Sequence, residues 1–456
     1  MSERAVSPPA TDNNALCKSF DLDRAGAIQM AESELRPQNP LYSGYLLSLC
    51  CLSYFLACLD RYVFSTIIPS IKAEFHLSDA ALGLMSGLAF ALTYSLLGVP
   101  MGILTDRHDR KRVLTACILL WSAMTAACGV AKTAWLLVIS RLGVGAGEAG
   151  VTPASVSMIT DLYPQKARAR AIAFYPICGT LGAAAALPIG AHLASSFGWR
   201  SVFLALSVPG GVLATLIWLT FREPARTAGE QPAPEKPSLV TTLLHLLGRR
   251  DLLLLFAAAG LMSMLSSMIQ WLPSFYERSY GSPLNDIGNR LGLVLAISGP
   301  AGMFAGGWLA DRSAREGAGK ITVLLAKLSI VQVVSCALML LAPNAATSIA
   351  LVGVWNLFTV SWVAPCFALS QSLVPSTMRG ASIGLLNVFT NIIGYGLGPA
   401  IAGAISTAIG AQAGADSLRW SLVFLGCGFG LLPGLLFLAA GRPLMQRAAM
   451  HKTPAL

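Results

Sequence analysis

"LYSGYLLSLCCLSYFLACLDRYVFSTIIP", residues 41–69, is the run on which the fold turns. A hydrocarbon core about 30 Å thick takes roughly 20 apolar residues of helix to cross, and this segment is longer than that. Two charges interrupt it, Asp60 and Arg61, side by side. A charge at such depth costs roughly 2.5–3.5 kcal/mol on insertion scales, so an intramembrane ionisable residue is read as functional by default.

Outward from this run the pattern repeats. The chain has 456 residues, 55% apolar and 12% charged, too little charge to cover a soluble protein of this length. Apolar runs near 42–70, 79–105, 113–132, 134–162, 167–195, 199–221, 250–276, 287–311, 320–342, 345–374, 378–409 and 417–440 give an all-α polytopic membrane protein of twelve spans. A transmembrane β-barrel would show short alternating segments instead. The first forty residues are polar and Pro-rich, so no cleavable signal peptide is expected. The tail 1–40 is expected to be disordered or, around Asp21 to Glu34, to form a short surface helix. The ten cysteines form no CxxC pair or Cys/His cluster, which argues against a metal site or a disulfide framework.

The net charge of +10 is a topology signal rather than a nucleic-acid one. With the N-terminus inside, nineteen Lys and Arg fall in the inner loops and the C-terminal tail and six on the outer side. That is the positive-inside pattern, and it puts both termini in the cytoplasm. The longest polar segment between spans, with "GEQPAPEKP" at its centre, splits the chain into a tail 1–41, a six-span bundle 42–221, a cytoplasmic linker 222–249, a second bundle 250–440 and a tail 441–456. The halves repeat. "GVPMGILTDRHDRKRVL" after span 2 answers to "AGMFAGGWLADRSAREGAGKITVL" after span 8, and "FGWRSVFL" at span 6 to "LRWSLVFL" at span 12. Parallel repeats related by a pseudo-two-fold axis place a site between the halves near the midplane.

"GILTDRHDRKRVL" resembles the signature loop between the second and third helices of the major facilitator superfamily, through Gly102, Leu104, Asp106, Arg107, Arg110 and Lys111. Asp109 stands where the superfamily usually has Gly, and Asp tolerates the left-handed conformation that such a turn needs. "RLGVGAGEAG" similarly resembles the superfamily's span-4 element, through Arg141, Gly145 and Gly147. "LDRYVFSTIIPSIKAEFHLSDAALGLMSG" resembles the Spinster-like branch, with an Asp-Arg pair in span 1, Pro69 ending that helix, and Glu148 closing the span-4 element. The resemblance covers about residues 42–440. It implies a secondary transporter working by alternating access, coupled to protons, in a bacterial inner membrane. For the branch it also implies an amphipathic, lysophospholipid or sphingoid-like substrate. A proton-coupled exporter of drug-like or other small organic molecules, and an uncoupled facilitator, remain alternatives.

The charged residues carry the mechanism. Neighbours on a helix point about 100° apart, so Asp60 and Arg61 do not face one another. Arg141 and Glu148 are seven apart, on one face, with about 10 Å of rise between them. Asp60, Glu148, Arg61 and Arg141 therefore form a candidate proton-coupling cluster. Arg keeps its charge, so the carboxylates are the switch, and Arg61 becomes available to an anionic substrate group. The plainer reading has the four as structural ion pairs joining spans 1 and 4. In the second half, Gln270, Trp271, Asn356, Thr359, Asn387 and Asn391 are candidate substrate-binding residues. Each is as readily an interhelical hydrogen bond. Gly102, Asp106, Arg107, Arg110 and Lys111 are a candidate cytoplasmic gate, in which the Asp106 carboxylate meets the positive N-terminus of span 11. No nucleotide-binding loop, nucleophile elbow or metal-ligand spacing is present, so neither an enzyme nor a cofactor is expected. The proton gradient supplies the energy. The expected partners are the substrate, protons and membrane lipid, not nucleic acid, and a monomer suffices.

Overall fold

The computed structural model describes residues 40–223 and 239–450. The expected surface helix at 21–34 and the centre of the linker lie outside them, as does the last part of the C-terminal tail. Residues up to Leu47 form one unit, of which those described are the opening turns of the first helix. The second unit runs from Ser48 on.

Among the described residues, twelve helices are long and apolar enough to cross a membrane. They are α1 (Leu41–Phe75), α2 (Asp79–Arg107), α3 (Arg110–Gly129), α4 (Ala134–Leu162), α5 (Lys166–Phe197), α6 (Trp199–Thr220), α7 (Arg250–Tyr280), α8 (Leu284–Ala314), α9 (Ala318–Leu340), α10 (Ala345–Ser372), α11 (Arg379–Ala408) and α12 (Gly410–Arg442). The pairings repeat between the first six and the last six. α3 packs on α4 and α6 as α9 packs on α10 and α12, and α2 packs on α4 as α8 packs on α10. Across the two sets, α2 meets α11 and α5 meets α8. These are the contacts of two six-helix halves related by a pseudo-two-fold axis.

Two local expectations are corrected. Pro69 does not end α1, which continues to Phe75. Its ring removes one backbone hydrogen bond, but a membrane helix tolerates this because hydroxyls and neighbouring helices re-satisfy the freed groups. The carbonyl that Pro69 frees is that of Ser65, one turn back, while the Ser65 and Thr66 hydroxyls themselves donate to the carbonyls of Tyr62 and Val63, both at 2.7 Å. Asp109 is not left-handed. It has φ −60° and ψ 114° and caps α3, accepting from the Arg112 N–H at 3.0 Å. The carboxylate satisfies an orphan N–H at a positive helix end.

One end of the bundle, marked by Asp79, is tightly closed between the halves. Gly83 of α2 lies against Pro399 of α11, and Gly403 of α11 against the Asp79 carbonyl. A Cβ on Gly87 would sit 2.6 Å from the Gly396 oxygen. Each of these helices carries a widened π turn, at Leu84–Leu88 and Thr390–Leu397, and the two turns pack on one another. On the other side of the pseudo-axis, a Cβ on Gly288 of α8 would sit 2.7 Å from the Leu187 oxygen of α5. Small residues permit this approach of backbone to backbone. At the opposite end, marked by Asp106, a Cβ on Gly98, Gly102, Gly380 or Gly384 would meet nothing within 4 Å.

Candidate functional site

The charged cluster is built by α1 and α4 and framed by α2 and α3. Glycine spacing sets its depth. A Cβ on Gly145 would be 2.6 Å from the Phe90 carbonyl of α2, and one on Gly147 would be 2.6 Å from the Trp121 nitrogen of α3. α4 therefore lies against both neighbours, with Arg141 and Glu148 turned into the bundle. Regular helix stops at Glu148 and resumes at Val151.

Two separate ion pairs result. Arg61 Nη2 donates to Glu148 Oε2 at 2.7 Å. Arg141 Nη1 lies 3.7 Å from Asp60 Oδ2, while Thr125 of α3 donates to Asp60 Oδ1 at 3.0 Å. Asp60, Arg141 and Glu148 are buried, whereas the Arg61 side chain retains 17% exposure. Of the four side chains, Arg61 is the one that is not fully buried. Its guanidinium lies 4.4 Å from the Phe90 ring centroid and 4.8 Å from that of Tyr94. Arg141 lies against Phe64 and the same Phe90. Cation–π contact of this kind is worth about 2 kcal/mol when desolvated, so Phe90 supports both arginines.

Hydrogen bonding here is incomplete. All three Arg141 guanidinium nitrogens, Arg61 Nε, Glu148 Oε1 and Asp60 Oδ2 are buried with no hydrogen-bond partner among the described residues. Such groups are costly, and they mark a network able to take on other partners.

The second half presents a different wall. Trp271 is fully buried and donates from Nε1 to the Pro399 carbonyl at 3.2 Å. Asn356 donates to Ser298 Oγ at 2.8 Å, and Thr359 accepts from Gln332 at 3.1 Å. These three bind helix to helix. Gln270 is buried, Asn387 is exposed, and Asn391 donates to the Asn387 carbonyl at 2.8 Å within its own helix. Tyr395 of α11 meets Tyr62 of α1, one residue from Arg61.

The candidate gate residues separate. Arg110 is buried, bound to Asp161 of α4 and, at 2.9 Å, to Glu223; it ties the first half to itself. Asp106 and Arg107 are exposed, Lys111 lies over Trp218, and Gly102 borders open space.

Sequence reasoning missed the lock at the closed end. Buried Asp79 accepts from Arg278 of α7 at 2.7 and 2.9 Å, from Lys72 of α1 at 2.6 Å and from Ser406 of α11 at 2.7 Å. It joins both halves. Phe90, Tyr94 and Thr125 were missed as well. The i, i+4 aromatic pair on α2 was the available signal; Thr125 had none. Asp79→Asn leaves Arg278 and Lys72 facing each other without a counter-charge. Breaking a buried pair costs roughly 3–5 kcal/mol, so opening should become about a hundredfold or more easier. The reporter is the Ala80 amide, which donates to Thr407 Oγ1 of α11 at 3.0 Å. Its hydrogen exchange should accelerate accordingly; unchanged exchange would mean that the glycine crossing alone keeps this end shut.

Comparison with known proteins then bears on this geometry. A sequence profile described as the Major Facilitator Superfamily matches residues 50–399. The chain is 27% identical over 371 residues to an MFS-type efflux pump of Mycolicibacterium smegmatis, covering 80% of this chain and 85% of that one. It is 27% identical over 387 residues to a "Probable L-galactonate transporter" of Escherichia coli, covering 81% and 83%. Among solved structures, a bacterial homologue of the human lysosomal transporter Spinster, in an inward-facing and unoccupied conformation, superposes with a TM-score of 0.80. The two are 25% identical, with 92% of this chain and 100% of that one covered.

Proposed function

The chain belongs to the Major Facilitator Superfamily, as a Spinster-like transporter, and from that membership we propose a proton-coupled carrier of an amphipathic solute with an anionic group. The observation that carries the proposal is the pairing of accessible Arg61 with buried Glu148 at 2.7 Å. A proton arriving on Glu148 removes the charge that holds Arg61. The guanidinium, always charged, then turns to a phosphate or carboxylate of the solute, for which its fork is well matched. Asp60 and Arg141, with Thr125, hold α1, α3 and α4 in register during this exchange. Alternating access follows from rocking the halves, with the Asp79 lock shut in the conformation described here. The positive-inside pattern supports a cytoplasmic Asp106 end, and on that reading this conformation is inward-open. The carrier works as a monomer, driven by the proton gradient.

A lysophospholipid or sphingoid-like solute is the first reading, on the likeness to a Spinster homologue. A sugar acid is the second, on the likeness to a protein named for L-galactonate; its carboxylate would use the same Arg61. The test is uptake into proteoliposomes under an imposed pH gradient, with labelled lysophosphatidylglycerol in one set and L-galactonate in the other. Arg61→Gln should abolish whichever flux the wild type shows. Flux of either solute that is indifferent both to Arg61 and to the gradient would overturn the proposal in favour of an uncoupled facilitator.

A further inference from the structure

The outer flank of the first half carries a groove that transport does not use. It lies between α3 and α6 at the Asp106 end, holds about 390 Å³, and is lined by Arg112, Thr115, Ala116, Leu119, Ala214 and Trp218, with Thr215 at its side. Its walls are apolar and its mouth is basic. Leu119 is 49% and Trp218 is 52% exposed, on helices that cross the membrane, so lipid is what they face. Lys111 lies 5.5 Å above the Trp218 ring. Arg112 is 75% exposed and 3.7 Å from Asp109. The other nearby carboxylate, Glu223, is taken by Arg110. Among the described residues, Lys111 and Arg112 thus stand at the groove, with Asp109 beside Arg112.

A second observation is independent of charge. Thr115 is 5% exposed, and its Oγ1 has no hydrogen-bond partner among the described residues. A helical threonine ordinarily returns its hydroxyl to a carbonyl one turn back. Thr105, Thr160, Thr215 and Thr220 all do so, at 2.7–2.9 Å. Thr115 does not, and it lines the groove. A buried hydroxyl without a partner calls for an explanation, and an acceptor seated in the groove supplies one for Thr115.

We propose that this groove binds one anionic membrane phospholipid, with an acyl chain along Ala116, Leu119 and Ala214, the phosphate between Lys111 and Arg112, and a polar oxygen of the lipid on Thr115. The volume is that of a small-molecule site. Basic residues at a membrane surface favour anionic headgroups, and the apolar wall accepts hydrocarbon without desolvation cost. The lipid would brace α3 against α6 beside the buried Arg110, where the first half is tied together. The site is made by α3 and α6 and the transport cluster by α1 and α4, so either proposal can fail alone.

The experiment is native mass spectrometry of the purified full chain, exchanged into equimolar phosphatidylglycerol and phosphatidylcholine. The wild type should retain one phosphatidylglycerol in preference to phosphatidylcholine. Lys111→Gln with Arg112→Gln should weaken that retention about 25-fold, at the usual gain per basic residue. Ala116→Phe, which fills the groove and keeps both charges, should abolish it. Thr115→Val should weaken it without altering the fold. Arg312→Gln is the control: it removes a cation that likewise lies near a tryptophan, 5.8 Å from the Trp308 centroid, but outside the groove, and retention should not change. Equal retention of the two lipids by wild type, absence of any retained lipid, or retention undiminished in Ala116→Phe would each overturn the proposal.

Discussion

Glu148→Gln should abolish the pH dependence of flux and leave the protein folded. The amide has the shape of the carboxylic acid and its oxygen still accepts from Arg61, so the packing around residue 148 survives. What is lost is the charge. Arg61 stays charged, so the amide keeps a hydrogen bond to a charged donor but loses the ion–ion attraction. Release of Arg61 should therefore become easier and independent of protons. In the wild type, lowering the pH neutralises the carboxylate, releases Arg61 and raises substrate affinity; raising the pH restores the pair. The Gln variant is held at the low-pH end of that curve. Substrate binding should persist, exchange down a substrate gradient should continue, and uphill uptake driven by protons should vanish. Counterflow and gradient-driven uptake in the same vesicles distinguish these. Full proton-driven uptake by the Gln variant would remove Glu148 from the mechanism.

The second expected effect is on stability. Asp60→Leu leaves Arg141 fully buried without its ion-pair partner, and Arg141→Met leaves Asp60 with the Thr125 hydrogen bond but without its ion-pair partner. Each should cost roughly 3–5 kcal/mol, since a buried charge loses its partner, and should lower the melting temperature in detergent by roughly 3–5 °C. The double variant should recover most of the loss, because exchanging a whole buried pair for apolar side chains is close to neutral. The cycle isolates the pair if each single substitution adds no new contact. Losses that simply add would mean that the 3.7 Å contact contributes nothing. Stable single variants that lose pH dependence would move the proton site to Asp60.

Legibility followed range. Each span could be read from its own apolar run, and the observed helices begin and end within a few residues of those runs, save α12, which starts earlier at Gly410. The interruptions could not. Pro69 has the look of a helix end because proline biases the preceding residue away from helix, and only the surrounding bundle sustains α1 through it. Asp109 sits where a left-handed glycine was expected, yet its carboxylate found an N-cap role. Charged residues could be placed near one another by helical spacing, but their partners could not be assigned. Which acid meets which base depends on how α1 crosses α4, and glycines 145 and 147 set that crossing against Phe90 and Trp121. Trp271, Asn356 and Thr359 were equally consistent with a solute or a neighbouring helix, and the neighbouring helix holds them. Asp79 went unremarked because its main partner, Arg278, is almost two hundred residues away.

The seam of glycines between α2 and α11 has a mechanical meaning. Where side chains interlock, parting two helices means disengaging each knob from its hole and changing rotamers one by one. At Gly83, Gly87 and Gly403 the touching surfaces are bare backbone, smooth at the scale of a methyl group. Such a joint behaves as a bearing: the helices can roll on it without a ratchet of intermediate stops. The charge that crosses this seam is gathered in one latch, where Asp79 meets Arg278. On the proposed rocking of the halves, hold and glide then rest on different parts, a carboxylate for the one and bare backbone for the other.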